Sequence, residues 1–143
     1  MRDRLFAYLD TQRDAIVDLQ RELVARPALG PENGGQGEVG KAEFLTAYLK
    51  DMGLSDIRVL HAPDNRVPSG SRPSIAAVLP GKDTSRTIWF VAHTDVVPAG
   101  DDSLWDSDPF QLRQEGDLLY GRGVEDNHHG LVAALLTAKA FVQ

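Results

Sequence analysis

The chain has 143 residues, with fifteen Lys and Arg against twenty-one Asp and Glu, a formal charge of -6 and no cysteine. The acidic balance gives no sequence-wide positive field to attract phosphate backbones, which argues against nucleic acid as a partner, and the absence of cysteine excludes a disulfide scaffold. The longest apolar runs, 88–92 and 131–136, fall far short of the roughly 18 residues that a membrane span needs, and the charged opening MRDRLFAYLDTQRD lacks the apolar core of a secretory signal. A soluble chain resident in the cytoplasm is the expectation.

In chain order, Leu5, Leu9, Ile16, Leu19 and Leu23 recur at three-, four- and seven-residue steps, which predicts one amphipathic helix over residues 3–26. Pro27 stops it, and the following ALGPENGGQG has loop composition. A second helix is expected over 38–52, with Ala42, Leu45, Leu49 and Met52 on one stripe and Gly53 as its C-terminal cap. The pattern then turns to β. Ile57 and Val59 alternate with polar neighbours, 75–79 is a short apolar run closed by Pro80-Gly81, and 87–92 (TIWFVA) reads as a buried strand. The stretch APDNRVPSGSR is a surface connection, 118–120 a short strand, and 130–142 an apolar helix that needs cover. The fold class is therefore α/β. That last helix ends at Gln143 without a capping Gly, Pro or polar tail, so the chain reads as cut short.

Four histidines are present. His61 lies at the edge of a proline loop and reads as a surface residue. His93 directly follows TIWFVA, at the carboxyl end of a strand, where open α/β sheets place their ligands. Asp95, two residues on, points to the same side in extended backbone and can orient the imidazole as carboxylates do for metal-bound histidines. The same pair also suits a polar cap on a strand end. Asp126 follows Gly121-Arg122-Gly123 at a strand-to-helix junction, where it can face His93's crevice or act as a helix N-cap. One imidazole and one carboxylate suit zinc or a similar borderline metal, with cobalt or manganese little different to such ligands. His128 and His129, adjacent and lacking the i, i+4 spacing of helical zinc ligands, read as the polar first turn of the last helix.

VAHTDVVPAGDDSLWDSDPF followed by LLYGRGVEDNHHG resembles the two N-terminal signature segments of the cocatalytic zinc aminoacylase and carboxypeptidase family, which includes acetylornithine deacetylase, succinyl-diaminopimelate desuccinylase, aminoacylase and glutamate carboxypeptidase. The resemblance rests on His93 to Pro98, on Trp105 with Asp108-Pro109-Phe110, and on Gly121-Arg122-Gly123 with Asp126, in order and spacing. It implies that His93 ligates one zinc, that Asp126 bridges two, and that Asp95 orients His93. It also implies that the bond after Asp126 is often cis. One departure is plain: where many relatives carry Met-Lys or Asp-Lys before the glycine, this chain has Asn127-His128-His129-Gly130, which leaves substrate and subfamily open.

The resemblance further implies that residues 1–143 are the N-terminal portion of a zinc-exopeptidase-like, three-layer α/β/α catalytic domain. The remaining ligands, the general-base Glu and an inserted lid or dimerisation domain then lie downstream, leaving room for a homodimer. The expected activity is hydrolysis of amide bonds in N-acyl amino acids or small peptides by the full-length protein, the chain alone being inactive for want of a third ligand. A non-catalytic module binding peptides or small acids is the alternative.

Overall fold

A computed structural model describes residues 2–142. The expected single N-terminal helix is two, α1 (Arg2–Asp10) and α2 (Arg13–Val24). The break has a local cause: Thr11 directs both its amide and its hydroxyl to the carbonyl of Tyr8, at 3.0 and 2.7 Å, and so closes the turn early. α1 buries none of its residues fully; it packs on α4 and reaches the core through Leu9. α2 buries Leu19, Gln20, Leu23 and Val24 and ends ahead of Pro27 as expected. α3 (Val39–Asp51) stops at Gly53, whose φ of 92° turns the chain and whose amide caps the carbonyl of Lys50 at 2.8 Å.

α4 (His129–Val142) completes the helical layer. Leu19 and Leu23 from α2, Leu45 and Leu49 from α3, and Val132, Leu135 and Leu136 from α4 form one buried cluster, closed by Met52 and Leu54. Ala140 is also buried on the last helix, and Leu131 and Ala138 pack against the cluster, whereas Phe141 and Val142 remain exposed.

β1 (Asp56–Pro63) and β2 (Ser71–Val78) form an antiparallel hairpin that pairs Asp56 with Val78 at one end and Pro63 with Ser71 at the other. The connection between them, residues 64–70, folds over Val67, which is buried. β3 (Arg113–Glu115) and β4 (Leu118–Tyr120) form a second, shorter hairpin. β3 escaped the sequence pattern because Arg-Gln-Glu carries no apolar alternation.

Residues 87–92 depart from expectation. They join no ladder, and Ile88, Trp89, Phe90 and Val91 are 82, 76, 64 and 88% exposed instead of buried. The physical reason is the neighbourhood: a strand apolar on both faces needs strands beside it and cover above and below, and no described residue supplies them. The class is mixed helix and strand, with two two-stranded sheets among the described residues. No described helix is long and apolar enough to cross a membrane.

Leu23 is fully buried at the centre of the helical cluster, so Leu23→Ala is expected to cost about 2–5 kcal/mol of stability in urea denaturation. Phe6→Ala, on the exposed face of α1, is expected to change stability by no more than about 0.5 kcal/mol.

Candidate metal centre

His93 is held by a loop that is itself pinned. Val96 is buried, its amide donates to the carbonyl of Ala28 at 3.1 Å, and a parallel bridge joins it to Leu29 just beyond Pro27. Within this loop the imidazole Nδ1 of His93 lies 3.0 Å from the backbone carbonyl of Asp95 and 3.3 Å from its carboxylate. The shorter contact is thus to the main chain, although the sequence directs attention to the carboxylate. Nε2 lies 2.9 Å from Oδ1 of Asp126, 33 positions away in sequence.

Asp126 reaches this position through an irregular turn. β4 runs into Gly121-Arg122-Gly123, and the Val124–His128 segment follows with non-helical backbone at Asp126 (φ -112°, ψ 95°) and Asn127 (φ -132°, ψ 32°). The bond between these two residues is cis. Gly123 is required on two counts: its φ is 88°, and a Cβ there would meet Val96 Cγ1 at 2.6 Å and His128 Cε1 at 2.7 Å. The turn is braced from α2 by Gln20, which donates to the carbonyl of Val124 at 3.3 Å, and is closed by the His128 amide on the carbonyl of Gly123 at 2.9 Å.

The structure therefore brings His93, Asp95 and Asp126 together. Both ring nitrogens of His93 face oxygen acceptors, and the hydrogen bond to Asp126, ahead of the contacts with Asp95, raises the pKa of His93. A cation at Nε2 would take the place of that proton, with the Asp126 carboxylate beside it as an oxygen donor and Nδ1–H still donating to Asp95. This is the usual arrangement of a metal-bound histidine. Zinc fits the donor set in kind but not in number, since no three such groups converge among the described residues.

The motif residues around this pair act as braces. The indole N–H of Trp105 and the guanidinium of Arg122 both donate to the carbonyl of Ala99, at 3.0 and 2.9 Å. The guanidinium also lies 5.3 Å from the indole ring centre, and the Arg122 amide bonds the carbonyl of Pro109 at 2.6 Å. Asp108 caps the amide of Phe110 at 2.8 Å. These contacts tie the long loop after His93 to the glycine turn that carries Asp126. His61 is exposed on β1 as expected, with Nδ1 3.1 Å from the Ser71 hydroxyl.

His128 corrects the sequence reading. Only His129 opens α4 and is exposed; His128 is buried, with its Nε2 2.8 Å from Nζ of Lys41. Burial, with the Lys41 charge beside it, pushes the His128 imidazole down to about 3, so the ring is neutral and its Nε2 accepts from the ammonium. Lys41, on α3, is equally buried. Desolvation lowers its pKa to about 8, against the raising influence of Asp95 and Glu38. Glu38 is itself buried and bonded to Arg72 of β2, whose Nε lies 3.0 Å from its Oε1. The signal for Lys41 was its position one turn before Leu45 on the apolar stripe of α3, an unusual place for an ammonium.

Residues 89–143 match the sequence profile of Peptidase family M20/M25/M40. The chain resembles the M20 peptidases. It is 33% identical over 135 residues to an uncharacterised metallohydrolase of Methanococcus maripaludis, an alignment covering 91% of this chain and 32% of that protein. It is 36% identical over 126 residues to a succinyl-diaminopimelate desuccinylase of Methylocella silvestris, covering 88% of this chain and 30% of that protein. Among solved structures it superposes with a TM-score of 0.83 and 25% identity on the di-peptidase Dug1p of Saccharomyces cerevisiae, covering 97% of this chain and 30% of that one. With human carnosine dipeptidase 1 the TM-score is 0.77 and the identity 28%, covering 99% and 31% of the two chains. The chain thus spans about a third of the length of the relatives it matches.

The Lys41 pKa generates a stability prediction. The folded value of about 8 lies below the unfolded 10.5, so between these two pH values the unfolded state binds the extra proton and stability rises with pH. Denaturation curves across this window should show that rise, and Lys41→Met should flatten it; Asp95, Glu38 and His128 are the groups facing the ammonium.

Proposed function

We propose that this chain is the N-terminal part of the catalytic domain of a metal-dependent hydrolase of C–N amide bonds, acting in the cytoplasm on N-acyl amino acids or small peptides. The observation that carries the reading is the contact of His93 Nε2 with Asp126 Oδ1, at 2.9 Å, between two motif segments that are far apart in sequence. The similarity to metallohydrolase, desuccinylase and dipeptidase proteins supports the same chemistry.

In this reading His93 would be a ligand to one zinc and Asp126 would be shared between it and a second; cobalt or manganese would suit the same donors. When bound, the metal pair supplies Lewis acidity toward an amide carbonyl and a water made nucleophilic at neutral pH. His93 would hold the metal through Nε2, while its Nδ1–H on Asp95 would fix tautomer and ring orientation. The turn that presents Asp126 passes through Gly123, which Val96 and His128 crowd closely.

A zinc site normally needs at least three protein ligands, so residues 1–143 alone are expected to be inactive. The other ligands, a general base, and the lid or dimerisation domain of a homodimer belong to the remainder of the full-length protein. A panel of N-acyl amino acids and dipeptides, assayed with the full-length protein with and without zinc, tests the reading. Zinc-dependent turnover should fall by more than about a hundredfold in His93→Ala and in Asp126→Ala, beyond the effect typical of losing an outer-shell group. Turnover indifferent to both substitutions would sink it; zinc binding without turnover on any substrate would favour a module that binds peptides or small acids.

A further inference from the structure

We infer that Lys41 is a positioning residue of this centre, acting through its buried hydrogen bond to His128. The inference rests on the metal-hydrolase reading above, and it concerns two side chains that touch neither His93 nor Asp126 through any hydrogen bond in the structure.

The geometry begins with what the pair sits beneath. His128 is two residues beyond Asp126, and its ring lies under Gly123, where an added Cβ would be 2.7 Å from Cε1. The same added atom would be 2.6 Å from Val96, three residues after His93. The imidazole is thus wedged below both segments that carry the candidate ligands. Its depth is fixed from the other side by Lys41 on α3, at 2.8 Å. α3 is anchored in the helical core through Leu45 and Leu49, so the bond transmits the position of the core to the turn.

Chemistry makes this bond directional. A lysine ammonium has donors only, so His128 must accept at Nε2 and carry its proton on Nδ1. Nδ1 has no partner among the described residues and is buried. A neutral histidine free to choose would place its proton where it finds an acceptor; here Lys41 dictates the tautomer. Packing alone would be served as well by an apolar side chain on α3, and a buried ammonium carries a desolvation cost that a merely structural contact does not need.

The test uses the full-length protein and zinc itself, with affinity measured by competition against a chromophoric chelator. His128→Leu keeps bulk but cannot accept, and is expected to weaken zinc binding by roughly tenfold or more, the range for groups that orient metal ligands. His128→Gln, whose amide oxygen can accept from Lys41, should restore affinity to within about threefold of wild type. That rescue is the readout that packing alone would not produce. In metal-free protein, nitrogen NMR should show His128 as the Nδ1–H tautomer, and Lys41→Met should abolish this preference; the measurement stands even where His128→Leu folds poorly. Equal zinc affinity in wild type, His128→Leu and His128→Gln would overturn the inference, as would equal losses in both variants or a tautomer indifferent to Lys41. Zinc binding that His93→Ala leaves intact, or none in wild type, would remove the metal-centre reading and this inference with it, whereas binding lost in His93→Ala but unchanged in His128→Leu removes this inference alone.

Discussion

Everything at the candidate centre depends on packing three helices into one apolar layer. His93 and Asp126 meet although neither lies in a strand ladder and their segments are far apart in sequence. What holds them is indirect: α2 supplies Gln20 and the chain leading to Ala28 and Leu29, α3 supplies Lys41, and α4 begins where the Asp126 turn ends. Leu19, Leu23, Leu45, Leu49, Val132, Leu135 and Leu136 fix these helices against one another, so an apolar core formed for stability also sets the separation of two polar groups. Interiors packed to crystal-like density transmit such constraints over several residues.

The centre combines this rigidity with access. The side chains of His93 and Asp126 are 44 and 87% exposed, while Lys41, His128 and Gly123's neighbour Val96 are buried directly behind them. The two candidate ligands are open to solvent, and the Lys41–His128 pair is dry. A polar network in that dry layer specifies orientation in a way that apolar packing does not, because hydrogen bonds have direction.

The sequence made some of this legible and not the rest, for physical reasons. α3, β1, the apolar second half of β2, β4 and α4 announce themselves by periodicity or by short apolar runs, because local propensity and tertiary environment agree there, whereas the pairing of β1 with β2 does not. His93, Asp95 and Asp126 stand out because residue type, motif spacing and position beside predicted strands coincide. The division of α1 from α2 was hidden because one Thr hydroxyl decides it, and β3 because a short exposed strand has no apolar face to betray it. Residues 87–92 have the composition of a central strand, but burial is a property of neighbours and not of composition. His128 escaped for a related reason, since it looks like a surface residue until its partner, 87 positions distant, is known, and Lys41 left only its place on the apolar stripe of α3 as a signal.

The bracing of Trp105 carries a practical consequence. The chain has two tryptophans, and they occupy opposite optical environments: Trp89 is open to water, while Trp105 is partly covered, its N–H engaged by Ala99 and its ring beside the cationic Arg122. Because the same contacts join the loop after His93 to the glycine turn before Asp126, the surroundings of Trp105 depend on that junction being made. With Trp89 replaced by phenylalanine, Trp105 becomes the single tryptophan of residues 1–143 and a local optical reporter on the stretch between His93 and the Asp126 turn.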